Sequence, residues 1–65
     1  MTRLSRTERS RALILTAAED MFQRKGFAAT TMEEIAEGAG LTRKTAYNLF
    51  SSKEDIALTL IARVE

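Results

Sequence analysis

The 65-residue sequence has no cysteine, no histidine, no proline and only three glycines. Without cysteine there can be no disulfide and no thiolate zinc site, and without histidine the remaining carboxylates do not make a structural metal site. The usual nucleophile–base pairs are missing, as is a glycine-rich phosphate loop, so we expect neither an enzyme nor a cofactor or metal site. A folded chain this short buries only about 60% of the surface of its unfolded form, so apolar packing and helix capping must hold it together.

Long apolar runs are also absent, and four arginines near the N-terminus lead into a helical pattern interrupted by Glu19 and Asp20. Neither a signal peptide nor a membrane span is predicted, and we expect a cytoplasmic protein. The formal charge is only +1, but residues 1–25 carry six Lys/Arg against three acids, whereas residues 26–65 carry four against six. We predict a flexible basic arm over residues 1–8, which is either a solvated leader or an arm that binds a polyanion.

Glycines and Ser/Thr clusters divide the rest of the chain into four predicted helices, at about residues 9–25, 32–39, 43–49 and 53–65. Apolar residues recur at steps of three and four along each of them. In the first helix the expected apolar stripe consists of Leu13, Ile14, Ala17, Ala18, Met21 and Phe22. The predicted fold class is all-α: a small helical bundle in one domain, residues 9–65.

Capping signals place the helix ends. Thr31 with Glu34, and Ser52 with Asp55, have the spacing at which a cap hydroxyl and a carboxylate each satisfy a backbone amide of the first turn. Gly40 can adopt the left-handed conformation needed for a sharp reversal between the second and third helices. Two short helices joined by such a turn have the helix-turn-helix layout, whose second helix can enter the DNA major groove.

The third helix has a polar outer face. At about 100° per residue, with Ala46 facing the core, Lys44 and Asn48 point nearly opposite to it, and Thr45 and Tyr47 flank that face. The long Arg43 side chain can swing outward. Because these groups can donate to or accept from base edges, the candidate base contacts are Arg43, Lys44, Thr45 and Asn48. A merely solvated face would also be polar, but the exposed Tyr47 is well placed to reach a phosphate.

Lys53 is predicted in the first turn of the fourth helix, where the helix dipole favours acids rather than cations. A phosphate bound there would remove this conflict, and the backbone amides after Thr31 could hold a second one. The alternative is an exposed lysine offset by Glu54 and Asp55.

The segment from Gly26 to Asp55, GFAATTMEEIAEGAGLTRKTAYNLFSSKED, resembles the signature of the TetR family of transcriptional regulators, and the preceding ILTAAEDMFQRKG resembles that family's first helix. The resemblance implies base contacts from Arg43, Lys44 and Thr45. It also implies phosphate contacts, which we expect from Thr31, Thr42, Tyr47 and Lys53, with Arg3 and Arg6 reaching adjacent phosphates. Two residues depart from the family pattern: Lys44 replaces a small residue, and Leu49 replaces a polar one and is expected to join the core.

The resemblance further implies a sequence-specific, ligand-responsive repressor that binds double-stranded DNA at a palindromic operator. Such a protein would associate with the bacterial nucleoid when bound to DNA. The fourth helix would lead into a C-terminal domain, absent from this chain, that forms the homodimer and binds a small-molecule inducer. We expect the acids of the second helix, Glu33, Glu34 and Glu37, to face away from DNA. The competing interpretation is a protein-interaction module that uses the apolar face of the fourth helix, and salt dependence separates the two.

Overall fold

The computed structural model describes residues 5–62, in which four α-helices follow one another: α1 (Arg6–Lys25), α2 (Met32–Ala39), α3 (Arg43–Leu49) and α4 (Lys53–Ala62). No strand is found in this part of the chain. The predicted all-α class and helix order are confirmed. The predicted extension of the fourth helix to residue 65 lies outside the described residues. Between residues 5 and 62, no helix is long and apolar enough to span a membrane.

α1 begins one turn earlier than predicted, at Arg6 rather than Arg9. The reason is a capping box at Ser5, whose hydroxyl accepts from the Glu8 amide at 3.1 Å while its own amide donates to the Glu8 carboxylate at 3.0 Å. The prediction of a flexible arm over residues 1–8 was therefore wrong for residues 5–8. Arg3 lies outside the described residues, whereas Arg6 is the first residue of α1.

The core forms along α1, which packs against all three other helices. Its fully buried members include Ile14 and Ala18 from α1, Ile35 from α2, Ala46 from α3 and Ile56 from α4. Ala17, Met21 and Phe22 pack against this core, so the buried face of α1 is the predicted one apart from one exchange. Leu15 is buried, and Leu13 is 44% exposed.

Two glycines shape the junction between α1, α2 and α3. Gly40 has the left-handed φ of 75°, and its amide donates to the carbonyls of Ala36 and Glu37, which ends α2. A Cβ atom on Gly38 would lie 2.6 Å from the terminal carbon of Met21, so the missing side chain allows α1 and α2 to approach closely. The reversal predicted at Gly40 is confirmed.

Capping follows the sequence signals with one difference. The Thr31–Glu34 capping box forms in full. At α4 the Ser52 hydroxyl accepts from the Asp55 amide at 3.2 Å, but the Asp55 carboxylate accepts from the amide of Ser51, one residue earlier than a capping box requires. The predicted Ser52–Asp55 box is thus formed by its hydroxyl half only.

Glu34 joins α2 to the end of α1. Besides closing the capping box, its carboxylate accepts a hydrogen bond from the ammonium group of Lys25. The hydrogen bond from Lys25, followed by the one from the Thr31 amide, holds the pKa of Glu34 below its ordinary value of 4.5. A carboxyl group with a lowered pKa stabilises the folded state above its unfolded-state pKa, and this stabilisation is lost as the pH falls through the folded-state pKa.

We therefore predict that Glu34→Gln lowers the melting temperature at neutral pH and that its deficit shrinks as the pH falls from about 5 to about 3. Thermal unfolding of parent and variant across this range measures the effect. Lys25→Gln should produce a smaller deficit with the same pH dependence, because Glu34 keeps its bond to the Thr31 amide, and the double variant should add little to Glu34→Gln. A deficit independent of pH would contradict this role for the charge of Glu34.

Candidate nucleic-acid interface

The outer face of α3 carries four exposed polar side chains, while Ala46 between them is fully buried. The four are Arg43, Lys44, Tyr47 and Asn48. Leu49 is half-buried and packs against the core, as expected from its departure from the family pattern. The rotation of α3 about its axis is therefore the predicted one, and the polar face is open to a partner.

Thr42 and Thr45 form a small hydroxyl pair at the start of α3. Thr42 is the N-cap: its hydroxyl accepts from the Thr45 amide at 3.1 Å and donates to the Thr45 hydroxyl at 2.9 Å. In this arrangement the Thr42 hydroxyl is used within the chain, and the hydroxyl hydrogen of Thr45 remains available. Thr45 can thus donate to a base edge or a phosphate, whereas Thr42 would have to exchange its partner first.

A groove of about 330 Å³ lies beside Tyr47. One wall is residues 30–33, at the start of α2, and the other is residues 51–54, at the start of α4. Amides in the first turn of a helix have no partner within the helix and are placed to bind an anion. We call this the Tyr47 groove. It places two helix N-termini and one exposed phenol around a space that a phosphate group could enter.

Lys53 lines the Tyr47 groove but has partners of its own. Its ammonium group donates to the carbonyls of Phe27 at 2.7 Å, Ala28 at 3.3 Å and Thr30 at 2.9 Å, and it lies 4.5 Å from the centroid of the Phe27 ring. An ammonium group has three donors, so all three are engaged. The conflict with the α4 dipole is therefore already offset by carbonyls of the α1–α2 loop. A phosphate contact of the kind expected for Lys53 would require one of these bonds to be given up.

Thr31, like Lys53, already has hydrogen-bond partners within the chain. Its hydroxyl accepts from the Glu34 amide at 3.2 Å and donates to the Glu34 carboxylate at 3.3 Å. The side chain is thus occupied by capping, and the groups left for an anion at this end of the Tyr47 groove are the amides of the first turn.

A second groove, of about 210 Å³, separates the start of α1 from α3. Its lining consists of Arg6, Thr7, Ser10, Thr45, Asn48 and Leu49. Arg6 therefore shares a face with two of the predicted base contacts, because the extra turn of α1 extends alongside α3. Thr7 and Ser10 were not expected at the interface, since their helical turn was assigned to the arm or left without a role.

We expected Glu33 to face away from the predicted interface, and this expectation was wrong. Its carboxylate lies 3.3 Å from Nε of Arg43, and it lines the Tyr47 groove. The two residues are on different helices, ten positions apart, so no local spacing rule relates them. Arg43 also lies over Tyr47, with its central carbon 5.7 Å from the ring centroid.

Two helices in this arrangement, with an exposed polar second helix flanked by helix N-termini, define a helix-turn-helix DNA-binding domain. Residues 14–60 match the family model described as bacterial regulatory proteins, tetR family. The chain belongs to the TetR family and corresponds to its N-terminal DNA-binding domain. Members of this family are DNA-binding transcription factors rather than enzymes.

Curated relatives agree with this assignment. The HTH-type transcriptional regulator EthR of Mycobacterium tuberculosis is 41% identical over 51 residues, which are 78% of this chain and 24% of EthR. The transcriptional activator FasR of Mycolicibacterium smegmatis is 41% identical over 61 residues, 94% of this chain and 27% of FasR. TtgR of Pseudomonas putida, a transcriptional regulator, is 41% identical over 54 residues, 83% of this chain and 26% of TtgR. The chain thus spans about a quarter of the length of these relatives. No solved structure matches it significantly.

The contacts of Lys53 generate a prediction about stability. Lys53→Met keeps the apolar stem but leaves three carbonyls without their donor, which should cost about 1–2 kcal/mol. For a domain of this size such a loss lowers the melting temperature by about 4–8 °C or more. Lys44→Met is the matched control, because Lys44 is an exposed lysine on α3, and it should leave the melting temperature unchanged. An unchanged melting temperature for Lys53→Met, with weaker DNA binding, would instead favour the phosphate contact.

Proposed function

We propose that this chain is the operator-binding head of a homodimeric, ligand-responsive transcriptional repressor that places α3 in the major groove of a palindromic DNA site. The observation that carries the proposal is the outer face of α3, where Lys44 and Asn48 are exposed directly opposite the buried Ala46. The proposed base contacts are Arg43, Lys44, Thr45 and Asn48. Their cationic, hydroxyl and amide groups can distinguish base pairs in the major groove.

Phosphate contacts are proposed on both sides of α3. On one side the Tyr47 groove offers the Tyr47 hydroxyl and the first-turn amides that follow Thr31, with the charge of Lys53 close by. On the other side, Arg6 at the start of α1 faces the second groove. Thr42 would contribute after exchanging its bond to Thr45. Contacts on both flanks would fix the register of α3 in the groove while carrying no sequence information themselves.

Repression requires fewer interactions from this domain than activation does. Occupying an operator requires only the DNA-facing surface, whereas activation also requires a productive contact with the transcription machinery. One relative, FasR, is named an activator. A reporter gene placed behind a duplex selected from random DNA for binding to this protein decides between the two, since repression lowers expression when the protein is supplied and activation raises it.

We propose that the surface that forms the homodimer and the inducer site lie in a further part of the parent protein, which would correspond to the part of the relatives that this chain does not match. Leu58 and Ile61 of α4 are 65% and 79% exposed, and they are apolar. These side chains carry no charge that could attract DNA. In the competing interpretation, a protein-interaction module, they would form the surface that binds the partner.

We propose that the parent protein is cytoplasmic and associates with the nucleoid when it is bound to its operator.

Lys44 should determine sequence preference. Lys44→Ala is expected to cost about 1–3 kcal/mol on the duplex selected from random DNA and distinctly less on unselected duplexes. Titrations at several salt concentrations measure both affinities, and affinity should fall steeply with salt for the parent. Arg24→Ala removes a like charge about 27 Å along α1 from Arg6 and should leave the preference intact. Binding that ignores salt would instead favour the apolar-association alternative.

Tyr47→Phe should separate DNA binding from folding. Within residues 5–62 the Tyr47 hydroxyl has no hydrogen-bond partner, and phenylalanine keeps the ring beneath Arg43. The melting temperature should therefore not change, while affinity falls about tenfold through loss of a donor to a charged phosphate. The loss should be similar on selected and random duplexes, because phosphates are common to both. A lower melting temperature with unchanged affinity would make the hydroxyl a structural group.

A further inference from the structure

Arg43 is held from two directions in the free domain. The Glu33 carboxylate contacts Nε at 3.3 Å, and the Tyr47 ring lies beneath the guanidinium group at 5.7 Å. The two contacts come from different elements, the first turn of α2 and the next turn of α3. Together they restrict both the direction and the plane of a side chain that is otherwise long and flexible.

The atom used by Glu33 decides what remains for DNA. A guanidinium group has five N–H donors, and a contact through Nε leaves the fork of two terminal nitrogens free. That fork matches the O6 and N7 acceptors of guanine. Glu33 can therefore hold Arg43 without taking the donors that read a base. Ordering a flexible side chain at an interface costs free energy, and prior restraint of Arg43 reduces that cost.

The same carboxylate has an opposite effect on the DNA backbone. Glu33 lines the Tyr47 groove, the proposed phosphate site, and its side chain is 54% exposed. A negative charge there repels phosphates whatever the DNA sequence. The ion pair with Arg43 is itself exposed and screened, so it adds little to the stability of the free domain. Its consequences should appear in DNA binding.

We propose that Glu33 is a positioning residue that sets sequence specificity: it orients Arg43 toward guanine and at the same time lowers affinity for duplexes in which Arg43 finds no guanine. This inference rests on the proposed function. The inference goes beyond that function in one respect. Replacing Glu33, a residue that need not touch a base, should change the affinities for cognate and non-cognate DNA in opposite directions.

Glu33→Gln tests the charge. Affinities of the full chain are measured at low salt for the selected duplex, for that duplex with the base pair under Arg43 changed, and for a random duplex. The variant should bind the random duplex about two- to threefold more tightly and the selected duplex about threefold more weakly, so that specificity falls on the order of tenfold. With Arg43→Gln already present, Glu33→Gln should no longer weaken selected binding relative to random.

Glu33→Asp tests reach separately from charge. The shorter carboxylate keeps the repulsion but loses the contact with Arg43, so selected binding should fall while random binding stays at the parent value. Glu37→Gln, on the same helix but outside the Tyr47 groove, is the matched control and should leave the ratio of the two affinities unchanged. Thermal unfolding of each variant separates loss of fold from loss of specificity.

Equal tightening of both duplexes by Glu33→Gln would show that Glu33 only repels DNA, and unchanged affinities would show that it does neither; each overturns the inference. The failure of the proposed function is distinguishable, because it would appear in the parent protein as binding without salt dependence or sequence preference. A guanine requirement in the parent that survives Glu33→Gln and Glu33→Asp would leave the function in place and remove Glu33 from its specificity.

Discussion

The DNA-facing surface depends on the burial of one side of α1 against three other helices. α2 and α3 have only eight and seven residues, too few to be stable as isolated helices in water. They are held because Ile14 and Ala18 of α1 provide an apolar surface on which Ile35 and Ala46 are buried without measurable exposure. The outer face of α3 is consequently held in place by packing against the other helices.

Around that core, polar groups fix the ends of the helices and contribute stability of their own. Lys53 links the start of α4 to three carbonyls of the α1–α2 loop, and Glu34 links the start of α2 to Lys25 at the end of α1. Of the two links, the one made by Lys53 borders the Tyr47 groove. The cation nearest the proposed phosphate site is therefore already bonded to carbonyls in the free domain.

Much of the interface could be predicted because its signals are local. The exposed position of Lys44 and Asn48 follows from helical periodicity, and the Thr31–Glu34 box follows from spacing within one turn. The start of α1 was missed although its signal is just as local, since Ser5 and Glu8 have the capping-box spacing. The burial of Leu15 in place of Leu13 on α1 was missed because a periodic stripe does not show how many helices will pack against it.

The sequence by itself determined the four helices, the glycine reversal at Gly40 and the outer face of α3, because each is signalled by residues within a few positions of one another. Only the tertiary structure decided what the charged groups do. Lys53 bonds to carbonyls 23 to 26 positions away, and Glu33 meets Arg43 across the helix-turn-helix. The physical reason is that long charged side chains find partners wherever packing brings opposite charge within reach, and packing joins residues that no local spacing relates.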